Sequence, residues 1–593
     1  MSVSATRYSS RPLLALPFVC LGLLAVAIAL ALLRSSTDVS GQFIFWAGAI
    51  CVLAPVAHAL TGSSASRNER LLLVVMLGVG LYAVKVLREP SAFTFPDEFG
   101  HQRSVQNILV THHLFARNPV QPIAALYPGI HVLTAAVSQV SGLSVFTSGM
   151  LIVASARVLL TGALFLIFEE LTQDARISGL ATAVYCINSN FLFEGAQFAY
   201  ESAAVPLAMF VLLLTLRRRS NRSGLLPLVI SVAAVVVSHH LTTIALATVL
   251  FAWCIAALYL RRRSMGGGPP VLALGLCVGL AGIWFAAAAP STYGYLSPHV
   301  EGGFHQLLDL LRGHASRQPF TTRGPVAPIA EQLISVASIL LLLIGLLLGA
   351  LHLLRRRPWR HPLVPVLLLA GVLYPPTLLL RLTAEGQEAS SRAPEFLFLG
   401  VGLLVASAAA RFEITRPAPR ALTVALLSAA FVGQVTLGFA FYARFPGPFR
   451  VSAGPRSVDG TGVFAARWAG THLPPRSRIV DDRIGAKLMG SYGFLDPVSA
   501  VADRINAGPL LLDSSLDASA LNVLRRGKVR YVIADRRLLA SLPFDGVYVE
   551  SGEPGSPLQP TAVHKFAARF FYRRAFDSGA IQIYSIPPAS GKT

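Results

Sequence analysis

Apolar stretches of about 15 to 25 residues recur from residue 13 to about residue 442, separated by short basic segments and by a few long polar ones. That is the register of helices that cross a bilayer. The stretch 225–260 fixes the orientation, because it holds no Asp, Glu, Lys or Arg between Arg triplets at 217–219 and 261–263. As one helix it would run about 54 Å against a hydrocarbon core of about 30 Å. Two crossings absorb it, so both triplets lie on one side and Ser238-His239-His240 makes a tight turn at the other.

The same pattern predicts helices at 13–33, 43–60, 71–86, 145–168, 177–193, 203–216, 225–237, 241–260, 271–289, 333–354, 363–380, 396–410 and 421–441. About thirteen crossings follow, with the N-terminus cytoplasmic and the C-terminus outside, since Arg and Lys concentrate in short inner loops. The first run, 13–33, is expected to remain as an anchor, being followed by further spans and not by a small-residue cleavage site. Residues 1–444 therefore read as a polytopic α-helical membrane domain. Residues 445–593 read as an extracytoplasmic α/β domain, with strands at 478–480, 529–534 and 581–584 and helices at 462–472 and 517–526.

Composition narrows the functions. Apolar residues make up 54% of the 593 and charged residues only 13%, which excludes a soluble enzyme for most of the chain. The net charge is +21, but the Arg triplets, including 355–357, abut spans and read as topology signals, so nucleic acid is not an expected partner. Cys20, Cys51, Cys186, Cys254 and Cys277 all fall in apolar stretches, which leaves no disulfide framework or cysteine metal site.

Chemistry concentrates in the outer loops. Loop 87–144 carries Phe95-Pro96-Asp97-Glu98-Phe99-Gly100-His101, and the apolar positions Phe99, Val105, Ile108, Leu109 and Leu114 predict an interfacial helix. A second helix is expected after Tyr127-Pro128-Gly129. Loops 290–332 and 381–395 are expected to roof a cavity facing the outer leaflet. Asp97 and Glu98 follow a proline at a helix start, where acidic residues also suit the helix dipole on structural grounds alone. A carboxylate at a cavity mouth can equally act as general base toward a hydroxyl. When the leaving group is a phosphate, one base suffices, unlike the paired carboxyls of glycoside hydrolysis.

The acidic pair in the long outer loop, then Tyr127-Pro128-Gly129, then Phe198-Ala199-Tyr200-Glu201-Ser202-Ala203-Ala204-Val205-Pro206-Leu207 entering a span that ends on Arg217, resembles the C-class (GT-C) membrane glycosyltransferases. This class includes protein O-mannosyltransferases and other enzymes that draw sugars from polyprenyl-phosphate carriers. The resemblance covers roughly 71–410. It implies an inverting hexosyl- or pentosyltransferase of a bacterial-type plasma membrane, with Asp97 as general base and Glu98 beside it holding acceptor or an ion. The implied partners are a polyprenyl-phosphate sugar, a cell-envelope glycan or protein acceptor, and the bilayer. The absence of a Trp-Trp-Asp motif argues against transfer of a whole oligosaccharide to Asn.

Other polar residues at the outer face are candidates for donor or acceptor binding: His101, Arg103, Tyr200, Glu201, His239, His240, Arg381, Glu385 and Arg392. Carboxylates accept hydrogen bonds from sugar hydroxyls, and guanidinium groups grip phosphate. Lys85 and Arg88 lie at the same depth, where snorkelling competes with phosphate binding. No cofactor is required by the pattern. Asp97 and Glu98 lie four and three residues before His101, and a helix would gather them on one face where a divalent cation can bind. Arg157 falls mid-span and demands a partner or a cavity. A transporter or flippase of lipid-linked sugars, or a membrane scaffold displaying the α/β domain, are the competing readings. An enzyme needs Asp97 at an outer cavity, a transporter needs a pathway with alternating access, and a scaffold needs neither.

Overall fold

The computed structural model describes residues 11–35, 39–218, 224–261, 268–312, 326–356, 361–383, 386, 390–409, 416–550, 553, 555–567 and 573–586. Each of the thirteen apolar stretches contains a helix, which in 177–193 stops at Cys186. Among the described residues nine of these are long and apolar enough to cross a membrane. The number becomes ten if Val271–Ala287 and Ser291–Gly303, bent by 103° at their junction, form one span. Leu225–Ser238 and Pro394–Ala409 are shorter. Ala175–Cys186 has 12 residues, about 18 Å of rise, because the chain leaves the helix at Asn188-Ser189-Asn190. The count of thirteen crossings is thus not carried by helix length.

The helices pack through small residues, as expected where lipid supplies no hydrophobic drive for association. A Cβ on Gly22 would lie 2.6 Å from the Gly48 carbonyl oxygen, and one on Gly48 would lie 2.7 Å from that of Gly22. These glycines let Arg11–Ser35 and Val39–Thr61 touch backbone to backbone. The uncharged stretch 225–260 breaks as read. Leu225–Ser238 ends at His239, which is extended (φ −159°, ψ 124°), and His240–Arg261 returns.

Loop 87–144 folds into two helices. Pro96 opens Pro96–Thr111, with Asp97 and Glu98 in its first turn, and left-handed His112 (φ 57°) ends it. Gly129–Ser141 follows. Beyond residue 444 a five-stranded sheet has the order β2-β1-β3-β5-β4, with β1 Arg478–Val480, β2 Asp496–Pro497, β3 Tyr531–Asp535, β4 Arg573–Asp577 and β5 Ile581–Ser585. β1 runs parallel to β2 and β3, while β5 is antiparallel to β3 and β4. Strands β1, β3 and β5 and the helices Gly460–His472 and Ala518–Gly527 stand where the alternation placed them.

This sheet unit is fastened to the loop by Arg103. Its guanidinium is fully buried and donates to the carbonyls of Gly490 (2.7 Å) and Leu495 (2.6 Å) and to Asp496 (2.6 Å), with Phe494 stacked 4.2 Å away. Arg103, expected to bind donor or acceptor, is therefore consumed as a clasp. The helix Arg483–Ser491 lies against Pro96–Thr111 and brings side chains of the sheet unit over the loop.

Candidate active site

Between the loop helices and the sheet unit lies a cavity of ≈ 1110 Å³. Asp97 stands on its wall with 47% of its side chain exposed and Lys487 Nζ 3.8 Å from its Oδ1. Proline at the first helical position starts the helix at Pro96 and so places Asp97 in its first turn, beside the cavity. Gly100 is needed one turn on, because a Cβ there would sit 2.2 Å from Gln121 Oε1, another wall residue.

Glu98, the adjacent residue, turns the other way. It is fully buried and accepts from Lys85 Nζ (2.5 Å), Phe198 N (2.9 Å) and the backbone amides of Thr94 and Phe95 (3.1 Å each). Its carboxylate has no room for an acceptor or an ion, and the trio Asp97, Glu98 and His101 does not assemble as a cation site. Among the described residues no group of three or more His, Cys, Asp or Glu is placed to hold a metal. Lys85 is spent on Glu98. Arg88 donates to the carbonyls of Arg444 and Ala443, so neither is a phosphate ligand or a snorkelling cation.

His101 lines the cavity and shares a 2.8 Å hydrogen bond between its Nδ1 and His131 Nε2. Burial, reinforced by the Lys487 charge, pushes its pKa down to about 3, and burial with His101 alongside pushes His131 down as well. His101 thus favours the neutral imidazole, and its buried Nε2 has no hydrogen-bond partner among the described residues. Tyr200 also faces the cavity, wedged between His101 (ring centroids 4.6 Å) and His239 (4.3 Å, stacked). His239 and His240, expected at the outer surface as ligands, are buried behind Tyr200 and outside the cavity lining, because the aromatic rings of Tyr127, Tyr200 and Tyr295 enclose them. They support the wall.

Glu201 and Arg392 line the cavity and pair with each other, and Glu395 lies within hydrogen-bond reach of Glu201. Arg381 does not reach the cavity lining, since its Nη1 donates to the Leu437 carbonyl (2.5 Å). Glu385 lies outside the described residues. Arg157 finds its setting beside Glu395 around Gly195, with Phe191 4.5 Å from its guanidinium. Loop 290–332 contributes Tyr295 to the wall, and loop 381–395 contributes Ser391 and Arg392.

Several lining residues escaped the sequence reading. Glu395 repeats the Pro-acidic helix start of Pro96-Asp97 in Pro394-Glu395 and was detectable on that ground. Lys487, Arg483 and Arg504 were not, because only the docking of the sheet unit brings them in. Glu194 is exposed to the cavity and accepts from Gln197 Nε2 (2.6 Å), with protein crowding it from the surrounding walls. The cavity walls around it keep it poorly hydrated although it is exposed, and with Asp97 as a second negative group this pushes its pKa up to about 7. A carboxyl whose pKa rises on folding makes the folded state bind its proton more tightly. Stability is therefore lost as pH climbs from its ordinary range near 4.5 through about 7. Glu194→Gln is expected to flatten that decline in a Tm-against-pH series, and an unchanged slope would contradict the assignment.

Beside the cavity an apolar groove of ≈ 450 Å³ runs between Leu373, Pro376, Leu380, Ala393, Phe396 and Leu397, and Ala393 adjoins the cavity residue Arg392.

Neither a family model nor a curated protein matches the sequence. Solved structures do match the fold. The oligosaccharyltransferase of Archaeoglobus fulgidus in its apo form aligns with a TM-score of 0.53 and 12% identity over 80% of this chain and 70% of its own. ArnT from Cupriavidus metallidurans bound to undecaprenyl phosphate aligns with a TM-score of 0.50 and 13% identity over 87% of this chain and 97% of its own. A variant of the arabinofuranosyltransferase AftD from Mycobacteria aligns with a TM-score of 0.50 and 14% identity over 88% of this chain, which spans only 42% of that enzyme. All three are membrane glycosyltransferases of one structural class, and this chain has their fold, that of the C class (GT-C).

Proposed function

We propose that this protein is an inverting glycosyltransferase that moves a sugar from a polyprenyl-phosphate carrier to a hydroxyl of a cell-envelope glycan or protein. The observation that carries the reading is the Asp97 carboxylate, half exposed on the wall of a ≈ 1110 Å³ cavity, while its neighbour Glu98 is locked in the interior. The acceptor hydroxyl donates its proton to Asp97 as its oxygen bonds to the anomeric carbon. The carbon–oxygen bond to phosphate breaks, and the polyprenyl phosphate leaves as an anion. A single displacement inverts the configuration. Arg392 supplies positive charge for the departing phosphate in exchange for its contact with Glu201. The apolar groove beside Ala393 suits the carrier's hydrocarbon chain. No step calls on a metal.

One helix supports the membrane orientation read from the charge pattern. Tyr200–Arg217 carries Tyr200 and Glu201 at the cavity and Arg217, the first of a triplet, at its other end, about 26 Å away. Basic clusters mark the cytoplasmic side, so the cavity opens outside, with the N-terminus inside and the unit 445–593 extracytoplasmic over the plasma membrane. That unit closes the cavity opposite the loop helices, a position from which it orients the acceptor.

The test is a transfer assay with the purified chain and a panel of polyprenyl-phosphate hexoses and pentoses. Turnover with one donor is expected, and Arg392→Ala should weaken undecaprenyl phosphate binding about tenfold or more. No binding of the carrier phosphate by wild type would end this reading.

A further inference from the structure

The two walls of the cavity differ in charge. The membrane-side wall presents Asp97, Glu194, Glu201 and Glu395, with Arg392 facing them. The wall from the sheet unit presents Arg483, Lys487 and Arg504. Arg483 and Lys487 stand four apart on the helix Arg483–Ser491 and share a face. Arg504, in left-handed conformation (φ 56°), ends the short helix Ala500–Asp503.

Two other arginines of this unit are committed. Arg537 pairs with Asp535 and Asp459, and Arg478 pairs with Asp503. Arg483 and Arg504 are exposed and their side chains make no hydrogen bond or ion pair to any described residue. Lys487 reaches Asp97 at 3.8 Å, longer than a hydrogen bond. The two carboxyls on this wall do not balance them. Glu550 accepts from Ala500 N (2.8 Å) and lies near enough to feel the Arg483 charge, so it offsets at most one of the three cations. Asp481 is buried against Asp482, and both burial and that neighbour push its pKa up, so it favours its neutral form.

We propose that Arg483, Lys487 and Arg504 form a subsite for an anionic group, a phosphate or carboxylate, carried by the acceptor. This rests on the transferase reading and deepens it by naming the acceptor's class. Neutral sugar hydroxyls need acceptors as well as donors, whereas three cations offer donors alone and match an anion. Such an anion also draws Lys487 away from Asp97 and frees the carboxylate for the hydroxyl beside it.

The experiment uses the full chain in phosphatidylcholine nanodiscs, with mannose phosphate, mannose and undecaprenyl phosphate as separate probes. Mannose phosphate is expected to bind in a salt-sensitive manner and mannose not to. The double variant R483A/R504A, altered only at exposed side chains, should weaken mannose phosphate about tenfold or more and leave undecaprenyl phosphate within about twofold. Arg392→Ala should do the reverse. Equal binding of mannose and its phosphate, or an indifferent double variant, overturns the subsite. Failure of undecaprenyl phosphate to bind wild type removes the transferase reading while the mannose phosphate arms still judge the subsite. In a further arm, phosphatidylglycerol in the disc identifies the source. Competition assigns the anion to a lipid headgroup and overturns the acceptor assignment, whereas its absence supports a glycan-borne group on the acceptor.

Discussion

Asp97→Asn is expected to lower kcat for sugar transfer about a hundredfold or more, with Tm and carrier binding unchanged. Asn keeps the shape of the side chain and loses the basicity. Positioned proton transfer contributes roughly a hundredfold to ten-thousandfold in enzymes, and a hundredfold is about 2.7 kcal/mol of barrier. Folding should not suffer, because the Asp97 side chain is 47% exposed and its ion pair to Lys487 is long at 3.8 Å. Such pairs contribute little. The measurement is single-turnover transfer by the purified variant alongside its melting curve. Wild-type turnover in a folded variant would exclude Asp97 as the base.

Glu98→Gln, one residue along, should behave in the opposite way and damage the fold. The substitution leaves Lys85 charged, with 6% of its side chain exposed and no counter-charge at 2.5 Å. Removing one partner from a buried pair costs about 3–5 kcal/mol. Glu98 also ties three backbone amides from two segments, Thr94 and Phe95 before the helix and Phe198 before the next span. The loop helix and the 187–199 segment are therefore expected to loosen together. The readout is a large fall in Tm for the detergent-solubilised protein, with a partial return when Lys85→Met removes the stranded charge. A Glu98→Gln protein that melts with wild type would mean that the pair does not hold the loop.

The contrast between these neighbours shows where the reading of residues stops. Asp97 and Glu98 carry the same chemistry in the same first turn, and sequence alone treats them as a team. Which one faces the cavity depends on the rotation of the helix end against Lys85 and Phe198, residues 13 and 100 positions away. Arg103 is a similar case. A basic residue on an outer loop suits a phosphate ligand, but its guanidinium meets three acceptors from 490–496, and only the docked sheet unit supplies them. His239 and His240 were correctly set at the turn of an over-long apolar stretch, yet the turn packs inward under Tyr200.

What the residues determined by themselves is what depends on local periodicity and on transfer energies. The places of the apolar helices, the break at His239, the proline-led acidic helix start and the strands β1, β3 and β5 are all of this kind, because lipid and water impose their rules on consecutive residues. What only the tertiary structure decided is the division of labour among charged groups. Lys85, Glu98 and Arg103 hold the scaffold, while Asp97, Arg392, Lys487 and Arg483 face the cavity. The physical reason is that a charge's role follows from what lies opposite it, and those partners come from distant segments that meet only when the sheet unit closes over the loop helices.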